Sequence, residues 1–190
     1  MVRPIRAGNY DGGVASYRIR LYGDPVLNSP VPDVVDIDGS LAKLVEDMLD
    51  TMYDAPGSGL AANQIGVRRR LFVYDVGDGP RTVINPRIVE SEGEWVYDEG
   101  CLSVPGLNWP IVRPDRVHLV GLDLDGNEIS IEADTLEGRC LQHEIDHLDG
   151  VLLVERLDPE QRREAKRILR ARARELAAFD PDGLSILQRD

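Results

Sequence analysis

The stretch that most constrains this chain is His143-Glu144-Ile145-Asp146-His147. Two histidines at i and i+4 share one helix face, with Cβ atoms roughly 5–6 Å apart, so both imidazoles can reach one metal ion. Glu144 is rotated about 100° from His143 around the axis. That places it beside such an ion and outside its ligand set, where a base for an activated water belongs. The flanks support a helix over about 135–148. Asp134 followed by Glu137 resembles a capping box, and Leu136, Cys140, His143, Ile145 and Leu148 continue with mixed helical spacing. Gly150 suits the residue just past the end. Gly138 inside the helix costs about 1 kcal/mol relative to alanine, so another backbone is expected to pack closely there. His143 and His147 are two of only three histidines in the chain.

The rest of the chain has to surround that helix. After Ser40, the expected N-cap, Leu41, Leu44, Val45, Met48 and Met52 mark one apolar face of a helix over about 41–53. Pro56 and Gly57 end it. Residues 23–34, with Pro25, Pro30 and Pro32, read as irregular with short extended pieces. Leu71–Tyr74 and Thr82–Ile84 are short β-type runs bounded by Gly, Pro and Asp. Residues 116–124 and 128–132 alternate around Asp125-Gly126, a hairpin signal. A short extended piece is expected over Val151–Val154, and a last helix from Pro159 to about 178. Residues 1–16 show no periodicity and read as a loose leader. The expected class is α+β, with mostly antiparallel β-sheets packed around the central metal-binding helix, an N-terminal-half helix and a C-terminal helix.

Composition narrows the function. The 190 residues suit one domain with a sizeable core, and 42% are hydrophobic. A net charge of −12 argues against binding nucleic acid, DNA above all, through the whole surface. No run approaches the roughly 18 apolar residues that span a bilayer, so no membrane partner is expected. Two cysteines, Cys101 and Cys140, cannot make a disulfide framework, which fits a reducing, cytoplasmic setting.

A catalytic tetrahedral metal site needs a third protein ligand and an open position. Cys140, Cys101 and Glu164 are the candidates. Cys140 lies on the histidine face, but its Cα is about 10 Å along the axis from that of His147 at 1.5 Å per residue. It suits the lining of a pocket better than ligation. Glu164 sits in a highly charged helix, where a solvated carboxylate is the ordinary outcome. Cys101, in the Gly- and Pro-bounded stretch Glu99–Gly106, can bring a thiolate in from outside the helix. Taken alone it would be a small buried residue. In a third stretch, Gly57 and Gly59 permit close backbone approach. Gln64 suits either a buried structural amide or an oxyanion donor.

Together and in this order, GSGLAANQIG at 57–66, EGCLSVPG at 99–106 and QHEIDHLDG at 142–150 resemble the peptide deformylase family. Lesser similarity covers LYGDPVL at 21–27, INPRIVE at 84–90 and Arg113-Pro114, so the resemblance spans about 17–158, the catalytic unit. It implies Cys101, His143 and His147 as ligands of one divalent metal, Fe²⁺ in the family, with Zn²⁺, Ni²⁺ or Co²⁺ able to replace it. It implies Glu144 as general acid/base for a metal-bound water, and the Gln64 amide with the Leu102 backbone N–H as oxyanion donors. The implied reaction removes the formyl group from formyl-methionyl nascent polypeptides, releasing formate. The peptide would lie extended between Ser58-Gly59-Leu60 and residues 103–107. Its methionine would enter a pocket near Tyr97, Leu136, Arg139, Cys140 and His143, with Glu99 and Gly100 also at the substrate.

This chain departs from the family's pattern in two places. Ser58 stands where an apolar β-branched residue is usual, and Glu137-Gly138 where an apolar-Ala pair is usual. Both bear on the polarity of the methionine pocket. A zinc endopeptidase and a binding protein that lost catalysis are the alternatives. Residues 159–190 form a basic C-terminal helix and tail. Seven basic and three acidic side chains over 159–178 leave the remainder at −16. Within the family such a helix implies a ribosome contact. A monomer is expected.

Overall fold

The computed structural model describes residues 17–179; the expected leader over 1–16 lies outside them. After a 3-10 turn at Pro25–Asn28, the elements run α1 (Gly39–Asp54), β1 (Gly59–Ala61), a second 3-10 turn (Ala62–Ile65), β2 (Leu71–Tyr74), β3 (Arg81–Glu92), β4 (Trp95–Gly100) and β5 (Asn108–Arg113). Then come β6 (Arg116–Leu122), β7 (Glu128–Asp134), α2 (Thr135–Leu148) and α3 (Pro159–Phe179). Five strands form an antiparallel sheet in the order β1-β2-β3-β6-β7, while β4 and β5 form a separate two-stranded ribbon. The class is α+β, as expected.

Strand β2 shows why α2 ends up central. Side chains alternate across a strand, and all four of its residues are buried. Leu71 and Val73 join Leu41, Leu44, Val45, Met48 and Met52 of α1 in one core cluster. Phe72 and Tyr74 join Leu141, Ile145 and Leu148 of α2 in another. The sheet is thus covered by a helix on each face, which is why β2 reads as an unbroken apolar run. On the side of α2 away from the sheet, the β4–β5 ribbon closes over the histidines. A third cluster holds Leu27, Val104, Ile111 and Leu152–Val154 with Ala165 and Leu169 of α3.

Three local expectations change. The N-cap of α1 is Asp38, not Ser40: its carboxylate accepts from the Ser40 and Leu41 amides at 2.9 and 3.0 Å, and the Ser40 hydroxyl donates to it as well. A carboxylate two residues upstream reaches the free amides of the first turn and leaves Ser40 inside the helix. The capping box at α2 is absent. The Asp134 side chain makes no cap hydrogen bond, and Glu137 instead accepts from the Tyr74 hydroxyl at 2.9 Å and Arg81 at 3.0 Å. In place of an extended Val151–Val154 there is a 3-10 turn at Leu153–Arg156. Leu152, Leu153 and Val154 are all buried in the third cluster, and a turn buries three consecutive apolar residues where an alternating strand would expose one. The 23–34 region is irregular but holds the Pro25–Asn28 turn, capped by Asp24, and no strand.

The hairpin around Asp125-Gly126 forms as β6–β7. The close approach at Gly138 is present too: a Cβ there would stand 2.9 Å from the Ala133 carbonyl oxygen.

Candidate metal and catalytic site

Helix α2 sets the His143 and His147 rings one turn apart, with centroids 5.0 Å from each other. Cys101, the first residue after β4, brings its Sγ to 3.2 Å from His147 Nε2. One ligand atom from each of Cys101, His143 and His147 lies within 4.8 Å of the other two. A thiolate and two imidazoles suit a borderline-soft divalent cation. Bonds of about 2.0–2.3 Å to all three would leave a fourth position open. Glu144 Oε2, buried on the same helix, has no hydrogen-bond partner among the described residues. The residues present therefore fit a metal. Glu164, the alternative ligand, is exposed on α3 and pairs with Arg167.

The candidate ligands are held from behind. His143 Nδ1 donates to Glu99 Oε2 at 3.0 Å, leaving Nε2 free to face a cation. Glu99 also accepts from Arg113 Nε at 2.7 Å, Arg113 Nη2 at 3.0 Å and Arg139 Nη1. Burial pushes the Glu99 carboxyl up, but hydrogen bonds from His143 and Arg113 outweigh it and hold the group well below the usual carboxylate range. Arg113 continues to Asp146 at 2.7 Å, and Asp146 to Arg156 Nε at 3.0 Å. The buried chain His143–Glu99–Arg113–Asp146 thus ties helix α2 to both strands of the ribbon. Burial above all holds His147 well below the usual histidine range, in the neutral form a ligand needs.

Glu144 is 3% exposed and faces β1. Burial is the main influence on it and Glu99 adds a little; together they outweigh His143, Arg113 and the Ala61 amide and push its carboxyl up to about 7. A Cβ on Gly59 would stand 2.8 Å from Glu144 Cδ, so only glycine fits at 59. A Cβ on Gly57 would likewise meet Leu102 Cδ1 at 2.7 Å. The two glycines therefore let β1 close onto the acid and onto the Cys101-Leu102 loop. Gln64 is buried: its Oε1 accepts from the Ala61 amide at 2.8 Å, and its Nε2 donates to Ser103 Oγ at 3.2 Å, 4.0 Å from Cys101 Sγ. Its amide thus has structural partners and also faces the site.

A groove of about 1180 Å³ opens over this point. Ser58 and Gly59 line one wall; Gly100 to Leu102, Pro105 and Gly106 line the other. Tyr97, Leu136, Arg139 and Cys140 border it beside His143 and Glu144. Strand β1 is a sheet edge, so its outer backbone can pair with another strand. Cys140 donates to the Ser58 carbonyl at 3.5 Å, and burial raises its thiol well above the usual range, so it stays neutral. Of the expected substrate residues, Leu60 does not line the groove, while Glu99 and Arg139 line it from buried positions. Leu60 is wholly buried in the α1 cluster. Glu99 is turned to His143 and the arginines. The Arg139 guanidinium lies 4.8 Å over the Trp95 ring and donates to the Ile111 carbonyl at 3.1 Å.

Sequence reasoning did not identify Arg113 as the hub of the ion-pair chain, nor Arg156 as a partner of Asp146. Their partners lie on other elements, and no short spacing marks them. The groove also takes in Tyr17, Thr51, Asp54 and Asp75, which carried no motif.

The sequence profile described as "Polypeptide deformylase" matches residues 16–163. The chain is 51% identical over 152 residues to a peptide deformylase from Acidothermus cellulolyticus, covering 80% of this chain and 84% of that one. It is 52% identical to peptide deformylase 1 of Corynebacterium efficiens, covering 80% and 94%. The crystal structure of a peptide deformylase from Legionella pneumophila superposes with a TM-score of 0.80 at 43% identity, covering 86% and 98%. That of the Ehrlichia chaffeensis peptide deformylase in complex with actinonin gives 0.81 at 38% identity, covering 85% and 99%.

Proposed function

This chain belongs to the polypeptide deformylase family, and on that premise we propose how its residues divide the work of deformylation. It is a metal-dependent hydrolase that removes the N-terminal formyl group of formylated peptides. The observation that carries the assignment of roles is the convergence of Cys101, His143 and His147 beside the buried, unpartnered Glu144 oxygen.

Cys101, His143 and His147 hold the cation, which we take to be Fe²⁺ on the resemblance to the family. When bound, it supplies Lewis acidity, acidifying a water and polarising the formyl oxygen. Glu144 takes a proton from the attacking water as its oxygen adds to the formyl carbon. The Gln64 amide and the Leu102 backbone N–H meet the charge that builds on the formyl oxygen. Losing one such donor typically costs about 3–4 kcal/mol. Glu144 then returns the proton to the departing peptide nitrogen; the C–N bond breaks, and formate and a free amine leave.

The peptide lies extended along the free edge of β1, facing residues 103–107 across the groove. Its methionine side chain enters beside Tyr97, Leu136, Arg139, Cys140 and His143. Ser58 and Gly100 flank the peptide backbone, and the Ser58 hydroxyl makes the pocket mouth more polar than an apolar residue would. Formate release from formyl-Met-Ala-Ser, against an N-acetylated control, tests the reading on anaerobically purified protein whose metal is assayed in the same sample. Turnover of the formyl peptide alone, with iron bound, supports it. Absence of turnover in the iron-loaded protein contradicts it, and the metal analysis decides separately for iron.

No helix among the described residues is long and apolar enough to cross a membrane. We place the enzyme in the cytoplasm, as a monomer, with nascent chains as its substrates. Arg163, Arg167, Arg170 and Arg174 are exposed on α3 at i, i+4, i+7 and i+11, one stripe of the helix. This stripe suits contact with the ribosome's polyanionic surface. Reversing these four charges is expected to weaken salt-sensitive co-sedimentation with ribosomes about tenfold or more; unchanged binding contradicts the contact.

A further inference from the structure

We infer that Arg172, on the buried side of α3, is a positioning residue that latches the groove wall at Pro105 and so sets affinity for peptides longer than formyl-methionine. The inference rests on the extended-peptide reading above. Along α3, Ala165 and Leu169 are buried in the cluster that holds Val104 and Ile111. The next inward position on that stripe, three residues on, is Arg172, which is half-buried. Its Nη1 donates to the Pro105 carbonyl at 2.7 Å.

The wall runs from Cys101 to Leu107, and its first part has its own supports. The Val104 amide donates to the Cys101 carbonyl, the Tyr22 amide to the Ser103 carbonyl, and Gln64 to Ser103 Oγ. Pro105 has no amide hydrogen to add to these, and Gly106 has a φ of +70°, open to many backbone conformations. Pro105 and Gly106 are both exposed and both line the groove. Among the described residues, the Arg172 hydrogen bond is the one that reaches 105–107 from outside the ribbon and its loop. A cationic donor on a carbonyl makes a stronger bond than a neutral one. Without it, Pro105 and Gly106 are held only through the chain, between buried Val104 and Leu107, whose side chain packs on the third cluster. The atoms that react lie at the inner end, held by α2 and Glu99, out of reach of this latch.

The test uses the full-length, metal-loaded chain with formyl-methioninamide and formyl-Met-Ala-Ser. For Arg172→Ala we expect KM for the tripeptide to rise roughly five- to twenty-fold, as for loss of a charged hydrogen bond in a partly open site. We expect kcat, metal content and the KM for formyl-methioninamide to stay within about twofold. Arg172→Lys, which keeps a cationic donor, should recover most of the loss. Amide exchange at Gly106 and Leu107 should speed up in the alanine variant only. An Arg172→Ala enzyme that keeps the wild-type gain from formyl-methioninamide to the tripeptide overturns the latch alone. A wild-type enzyme that gains nothing from the longer peptide overturns the groove reading and the latch with it. Equal losses on both substrates show a general structural role and also overturn it.

Discussion

Glu144→Gln is expected to lower kcat for formate release by about two to four orders of magnitude, the usual share of a positioned general acid/base. It should leave bound metal in place. The glutamine is nearly the same shape and cannot take the proton from water or return it to the leaving nitrogen. Gly59 already leaves room for a group of this size against β1. Stability should not fall. One Glu144 oxygen is buried without a partner, and a neutral amide is less costly to bury there than a carboxylate. Steady-state kinetics with metal analysis and a melting curve on one preparation check all three points. Activity within tenfold of wild type would remove Glu144 from the proton-transfer role.

Glu99→Ala should damage both stability and metal binding. Its carboxylate is shared by His143, Arg113 and Arg139. Removing it leaves two largely buried guanidiniums short of a partner and frees the His143 ring to rotate. Breaking a buried ion pair from one side typically costs about 3–5 kcal/mol. Losing the partner behind a ligating histidine typically lowers metal affinity about 10- to 100-fold. Glu99→Gln, which can still accept from His143, should keep more of the metal affinity than of the stability. Denaturant titration and competition with a metal chelator separate the two effects. An alanine variant unchanged in both would mean that the network carries neither load.

The contrast between these residues shows what was legible before the fold. His143, Glu144 and His147 lie within one helical turn, so periodicity alone displays their geometry. Cys101 gained meaning only beside that pair, since an isolated cysteine reads as a small apolar residue. Glu99, Arg113 and Asp146 belong to three different elements. No local period brings them together, although the resemblance had already marked Glu99 and Arg113-Pro114.

The ribbon strand β4 was hidden because Val96 and Tyr97 are both exposed, which breaks the alternation of a half-buried strand. Conversely, β2 was easy to find but not to place. Its burial on both faces, by α1 and by α2, is a property of the assembled sheet. Ser40 in place of Asp38 at the first cap shows the remaining difficulty. Both residue types cap helices, and the choice depends on which one stands two or three residues before the free amides.

The central claim is that the metal is held by Cys101 with the two histidines of α2, next to the acid that moves the proton. The most direct measurement is metal stoichiometry with formate release, on anaerobically purified wild type, Cys101→Ala and Glu164→Gln. The predicted result is about one equivalent of divalent metal in wild type and Glu164→Gln, both active, with Cys101→Ala losing both metal and turnover. Metal and turnover retained in Cys101→Ala but lost in Glu164→Gln would contradict the account.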